Sequence, residues 1–325
     1  MVEPFTWRDG ERTIRFGRGT VSDAGTLLGS GFTLLTTARG RAAAPAIAEA
    51  AAVSRDVPAG KVDGVAAGVL ATLAEVDLPA DRPIVALGGG RVVDVAKAVA
   101  AGLGGLDVAA VPTTLSAAEM TRAHRHATGI DPATPRRRPT LVLNDPAISA
   151  SQPARELAGS TANALAHAVE ATATTGASPV PTLAAHDAAR RLAGGFSATE
   201  PDRDELALGA LLSGYALDAA GIGLHHVLSQ TLVRASGLPH GTVNAALLPH
   251  TIAALDRRGL VDAADHRAFA EELAACADAR SLRALGVHPD VIEISVAAAL
   301  QRPELERTPP APTADELRAI YRAAW

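Results

Sequence analysis

Cysteine is almost missing from this chain: Cys276 stands alone. That excludes an intramolecular disulfide framework and any cysteine-rich metal centre. Lysine is nearly as scarce, present only at positions 61 and 97, so the positive charge is carried by scattered arginines. There is no excess of that charge either. The net charge is −5, and the one compact basic run, RRR at 136–138, sits among prolines and reads as a solvated loop, so nucleic acid is excluded as a partner. No stretch offers roughly 18 apolar residues free of charge, Gly and Pro breaks. The opening MVEPFTWRDGERTIRF carries charges where a signal peptide needs an apolar run. A protein of the reducing cytoplasm, neither secreted nor membrane-bound, is expected.

The composition is otherwise globular, 48% hydrophobic and 20% charged over 325 residues, more than one ordinary core accommodates. The first half alternates strand-like and helix-like runs. FTLLTT (32–37), PIVALGGG (83–90), DVAAVPTT (107–114) and TLVLNDP (140–146) read as strands, with helices over 44–53 and 92–103. That alternation predicts a parallel α/β sheet. From Ser151 onward, ARELAGSTANALAHAVEATAT (154–173), PTLAAHDAARRLAGGF (181–196), RDELALGALLSGYALDAAGIG (203–223) and a terminal ADELRAIYRAAW carry helical periodicity, with almost no strand candidates. The chain is thus expected to form two domains, an α/β domain over 1–150 and an all-helical one over 151–325.

ALGGGRVVDVAKAVA places Gly88, Gly89 and Gly90 between a strand and a helix. Glycine admits a diphosphate close to the backbone, and the helix start offers it N–H groups; a simple tight turn reads equally well. VPTTLSAAEMT ends a second strand in the hydroxyls of Thr113, Thr114 and Ser116, then continues to Glu119 and Thr121. Such strand ends hold ligands in parallel sheets, although hydroxyls there also cap helices. Asp94 and Lys97 share the intervening helix at i, i+3, as a diphosphate-side pair or a surface ion pair.

Histidines supply the other signal. GLHHVLSQTLVRASGLPHG, residues 223–241, gathers His225, His226 and His240. His167, in TANALAHAVEA, shares a helix face with Asn163 four residues earlier. Each alone reads as a core histidine; brought together from separate helices they are metal-ligand or acid/base chemistry.

The order GGG with DVAK, PTT…SAAEMT, NDP, NALAHAVEA and GLHH…LPHG…NAALLPH resembles the iron-containing alcohol dehydrogenase superfamily. PTTLSAAEMT, NALAHAVEA and the GLHH doublet are similar to its maleylacetate reductase branch. The resemblance implies a dinucleotide-binding α/β domain, a helical substrate domain, an active site in the cleft between them, and a homodimer. It also implies NADH or NADPH as cofactor. In metal-dependent members an Asp and three His hold Fe²⁺ or Zn²⁺, at the positions of Asn163, His167, His226 and His240 here. The carboxylate is therefore replaced by an amide, a weaker and neutral ligand, and tight metal binding is not expected, although three histidines alone hold zinc elsewhere.

Other positions also depart from the pattern. The second histidine of the usual H-x-x-x-H is Gln230, which cannot deliver a proton at neutral pH, so His240, His226 or His225 is left to substitute. Arg91 stands after the glycines where the superfamily has Ser, and LLTTARG, with Thr36, Thr37 and Arg39, lacks the acidic residue that selects NAD. The expected function is an NAD(P)H-dependent reductase of a small unsaturated or oxo carboxylic acid. In it His167, His226 and His240 polarise and protonate the substrate, Asn163 orients it and Arg122 meets its carboxylate. The nucleotide falls to Gly88, Gly89, Gly90, Asp94, Lys97, Thr113, Thr114, Ser116 and Thr37. A metal-dependent alcohol dehydrogenase with a three-histidine site, a non-redox dehydratase or isomerase, and a silent nucleotide-binding protein are the alternatives.

Overall fold

The computed structural model describes residues 2–76, 78, 82–262 and 264–325. The chain divides into two compact units, Met1–Ser151 and Gln152–Trp325.

The first unit is a seven-stranded sheet: β1 (Phe5–Asp9), β2 (Arg12–Phe16), β3 (Thr33–Thr36), β4 (Val53–Asp56), β5 (Ile84–Gly88), β6 (Val108–Pro112) and β7 (Leu141–Asn144), in the order β1-β2-β7-β6-β5-β3-β4. Every pairing is parallel except the β1–β2 hairpin at the edge. Its tight turn uses Gly10 at φ 61°, a conformation open to glycine without steric cost. The apolar runs of the central strands are continuous because both faces are covered. Ile84 and Ala86 of β5 join one core with Val93, Val99 and Ala66, while Val85 and Leu87 join the other with Leu34, Ile47 and Phe32. Two expectations need correction. The helix expected over 44–53 is only Pro45–Glu49, because Val53 opens β4 and pairs with Thr33. The β1–β2 hairpin adds two strands to those expected, although FTWRD and RTIRF alternate as strands do.

The helix Gly90–Gly102 carries Lys97 into the interior. Its Nζ donates to the carbonyls of Ala118 (2.9 Å), Thr121 (3.1 Å) and Ala123 (2.7 Å) and pairs with Asp94 at 2.8 Å. Arg12 donates to the Met120 carbonyl. The pair with Asp94 exists, but the lysine is buried, so the surface reading of it is corrected. Within this anchored segment Glu119 is buried, and desolvation pushes its carboxyl up to about 7, which lowers the cost of keeping it inside. Lys97→Met is expected to strand three carbonyls and a carboxylate and to cost about 3 kcal/mol. Chemical denaturation measures it, and a change under about 0.5 kcal/mol, the level of an inert surface substitution, contradicts this role.

The second unit is helical: Ala154–Ala173, Pro179–Gly195, Arg203–Ala220, Leu224–Ser236, His240–Arg257, Ala264–Cys276, Pro289–Ala299 and Ala314–Ala324. Ala154–Ala173 is buried on nearly every face, which explains its run of alanines and absence of charge beyond the first turn apart from one glutamate. Among the described residues no single helix is long and apolar enough to cross a membrane.

Two close approaches set the asparagines and histidines of this unit in place. The Ala154–Ala173 and His240–Arg257 helices meet at Gly159 and Gly241, where a Cβ on Gly159 would lie 3.2 Å from the Gly241 carbonyl. This brings Asn163 and Asn244, each about one turn further on, into hydrogen-bond range. The Arg203–Ala220 and Leu224–Ser236 helices are bent by 101° at the GIG break. A Cβ on Gly223 would come 2.6 Å from Thr308 Oγ1, and that hydroxyl accepts the Leu224 N–H. The first turn of Leu224–Ser236, bearing His225 and His226, is thereby aimed at Glu170.

Candidate active site

In the α/β unit the carboxyl ends of β3, β5 and β6 lie side by side. The chain runs from β3 outward to β4 on one side and from β5 to β6 on the other; such a reversal is where open parallel sheets bind ligands. Gly88 ends β5 and Gly90 begins the helix; Val92 and Val93 N–H donate to the Gly89 carbonyl, and the Gly90 and Arg91 N–H groups come before the first helical bond. Added Cβ atoms show why glycine is needed: one on Gly88 would lie 2.6 Å from Val92, one on Gly89 3.0 Å from Thr114, and one on Gly90 2.8 Å from Ser116. Thr114 and Ser116 thus pack directly over the turn, and Thr113 N–H donates to the Gly88 carbonyl at 3.0 Å. The cradle fits a diphosphate. Thr37 stands at the neighbouring strand end, but its hydroxyl accepts from Gly40 N–H as a helix cap, and Thr36 donates to the Leu87 carbonyl. Arg91 and Arg122 are exposed.

The helical unit gathers the histidines. The His167 and His226 rings stack at 4.7 Å with 20° between planes, and His225 meets His226 edge-on at 5.3 Å. His226 Nδ1 lies 2.5 Å from Glu170 Oε2, and His226 N–H donates to Glu170 Oε1 at 3.3 Å. Both residues are buried. A carboxylate here sits at the N-terminus of Leu224–Ser236, where the helix favours negative charge. Burial raises the Glu170 carboxyl, but the His226 charge and hydrogen bond outweigh it and its pKa is lowered. The pairing leaves His226 Nε2 buried without a partner.

Asn163 Nδ2 donates to His167 Nε2 at 3.3 Å, and Asn163 Oδ1 accepts from Asn244 Nδ2 at 2.8 Å. Burial, then the charges of the neighbouring histidines, hold the His167 pKa well below its ordinary value. His240 begins its helix and is exposed. The surrounding protein and then His226 lower its pKa too, an effect that its open surface limits.

Two expected members of the set are used differently. Gln230 Oε1 accepts two bonds of 3.2 Å from Arg302, itself paired with Glu304, so the glutamine is turned to that cluster. His225 has both ring nitrogens engaged, Nδ1 with Thr251 Oγ1 at 2.8 Å and Nε2 with Asn244 Oδ1 at 3.0 Å. Burial lowers its pKa to about 3, so it does not replace the missing acid. Glu170 and Asn244 join the site without having been expected there. Glu170 lies three residues after His167, and Asn244 four after His240, spacings that place each on its histidine's helix face.

A metal ion does not fit this donor set. Of the Asn163 amide only the oxygen ligates, and it accepts from Asn244 while the NH₂ faces His167. Among the described residues no group of three or more His, Cys, Asp or Glu side chains is arranged to hold a metal.

The Fe-containing alcohol dehydrogenase family, C-terminal, matches residues 157–267. Maleylacetate reductase from Burkholderia cepacia is 30% identical over 250 residues, 67% of each chain. Maleylacetate reductase 1 from Rhodococcus opacus is 34% identical over 185 residues, 52% of this chain and 50% of that one. The crystal structure of maleylacetate reductase from Agrobacterium tumefaciens superposes with a TM-score of 0.80 at 27% identity, covering 100% of this chain and 99% of that one. Fold and relatives together define an oxidoreductase. The chain belongs to the iron-containing alcohol dehydrogenase family.

Proposed function

We propose that this chain is an NAD(P)H-dependent reductase of a small unsaturated oxo carboxylic acid, with maleylacetate as the substrate to test first. The observation that carries the reading is His226, fixed at Nδ1 by Glu170 with Nε2 left unpartnered, beside an amide where metal-dependent relatives place a carboxylate ligand.

Gly88, Gly89 and Gly90 would hold the diphosphate, with Thr113, Thr114 and Ser116 beside them. Lys97 and Asp94 act one step removed by holding the 118–123 segment in place. A reduced nicotinamide held there would supply the hydride, and the carbon that accepts it is the alkene carbon β to the substrate ketone. The π electrons then move onto the ketone oxygen as an enolate. Asn163 Nδ2 donates a hydrogen bond to that oxygen, and His226 Nε2 delivers a proton to the carbon α to the ketone as the enolate electrons return to form that C–H bond, with His240 as the more exposed route for its replacement. Glu170 accepts at Oε2 from His226 Nδ1 and so fixes the ring with Nε2 as the nitrogen left to act. A cytoplasmic homodimer belongs to the same reading. It is supported by the single cysteine and by the family resemblance, and sedimentation of the purified chain tests the dimer.

The test is titration with NADH and NADPH by nicotinamide fluorescence, then oxidation at 340 nm with maleylacetate, on metal-analysed protein. Binding with metal-independent turnover is expected; no binding of either nucleotide refutes the reductase. Gly90→Ala, whose methyl would displace Ser116, is expected to weaken nucleotide binding about tenfold, roughly 1.4 kcal/mol, in the same titration. An unchanged affinity places the diphosphate elsewhere.

A further inference from the structure

Asn163 is useful as a hydrogen-bond donor only if its amide faces the right way, and the amide alone has no preference between its two orientations. The neighbours supply one. Asn244 presents Nδ2 to Asn163 Oδ1 at 2.8 Å, and its own Oδ1 faces His225 Nε2 at 3.0 Å. His225 Nδ1 in turn lies 2.8 Å from Thr251 Oγ1. The four residues are buried, Thr251 and Asn244 fully, so no solvent relaxes the pattern.

Proton counting then fixes a direction. Both ring nitrogens of the buried His225 meet neutral partners, so the ring is a neutral imidazole with one N–H to give and one lone pair to fill. The N–H goes from Nε2 to the Asn244 oxygen. Nδ1 must therefore accept, and the donor beside it is the Thr251 hydroxyl at 2.8 Å, whose one proton then turns to His225 from the Leu248 carbonyl, 3.0 Å away. The later links are then set: Asn244 gives to Asn163, and Asn163 gives to His167 Nε2.

We propose that Thr251, His225 and Asn244 are positioning residues, a one-way hydrogen-bond relay that holds the Asn163 amide with its NH₂ toward His167 and the substrate. The relay makes the amide a neutral electrophile at the point where metal-dependent relatives place an Asp ligand, and it fixes His167 as the tautomer protonated on Nδ1. This rests on the proposed reductase reading for what the amide polarises, but the orientation itself does not.

The test uses the full chain without substrate or nucleotide. Nitrogen-15 NMR of histidine-labelled protein, with His167→Gln to assign the signal, is expected to show His167 neutral and protonated on Nδ1. Asn244→Asp keeps the shape but offers Asn163 only acceptors. The Asn163 amide should turn, and His167 should switch to the Nε2–H tautomer. With maleylacetate, kcat/KM of Asn244→Asp should fall about 100-fold, while NADH affinity stays within about twofold, since a 1.4 kcal/mol change would read as tenfold. Should Asn244→Asp fail to fold, Thr251→Val is expected to lose the tautomer preference and Thr251→Ser to keep it. A wild-type His167 protonated on Nε2, or a variant tautomer identical to wild type, overturns the relay. If wild-type protein does not reduce maleylacetate, the functional reading fails while the tautomer still decides the relay.

Discussion

Glu170→Gln is expected to lower kcat for maleylacetate by about 10²- to 10⁴-fold, the range over which a positioned proton donor contributes, with nucleotide binding unchanged. Glu170 accepts two donors, His226 N–H at Oε1 and the imidazole at Oε2. A glutamine has one oxygen, so one donor would face an NH₂ group. Either the helix start loses its acceptor or His226 loses the partner that holds its Nδ1 proton. A kcat within about threefold of wild type, far below that range, would remove Glu170 and His226 from the proton path. The same variant makes a statement about pH. The Glu170 carboxyl is lowered from an ordinary value of 4.5. A depressed carboxyl stabilises the fold fully above the unfolded value and loses that contribution as pH falls through the folded one. Wild-type stability should therefore decline below pH 4.5 with a component that Glu170→Gln lacks, measurable as melting temperature against pH in the two proteins.

Asn163→Asp is expected to turn the site into a metal site. Its carboxylate would keep the bond from Asn244 on one oxygen and present the other where the amide NH₂ now faces His167, with His226 Nε2 unpartnered nearby. A full negative charge about 4 Å from a cation in a partly screened site is worth about 4 kcal/mol per unit of cation charge. Zinc affinity should thus rise at least about 10³-fold, since each 1.4 kcal/mol is a factor of ten. Calorimetric titration with Zn²⁺ and metal analysis after desalting read this out, with Asn163→Leu as the uncharged control. Equal zinc retention by wild type and Asn163→Asp would mean that the amide is not what keeps the metal out.

The sheet and the helical unit are legible in the sequence because their periodicities differ: β5 and β6 are short apolar runs closed by glycines or hydroxyls, and the later helices repeat apolar residues at helical spacing. The β1–β2 hairpin is not, since FTWRD and RTIRF are short, charged and polar on one face. At the glycine turn, composition suggests a cradle, and the contacts of Gly89 with Thr114 and of Gly90 with Ser116 supply the geometry. The histidines are visible one by one. What spacing cannot reveal is which nitrogen each one uses: His225 and His226 are adjacent in sequence, yet one is saturated by Asn244 and Thr251 while the other is held by Glu170 from a different helix. Gln230 misleads for a similar reason, because Arg302, far along the chain, claims its oxygen.

The interior placement of Lys97 matters beyond the fold. Lysine occurs at only two positions, and with that amine sealed among carbonyls the exposed Lys61 is the one lysine open to a surface reagent. Amine-directed chemistry on the folded protein therefore has a single lysine handle, one that belongs neither to the glycine turn nor to the histidine cluster. A fluorophore or an immobilisation tether attached there would report on this enzyme, or anchor it to a surface, without modifying a residue of either site.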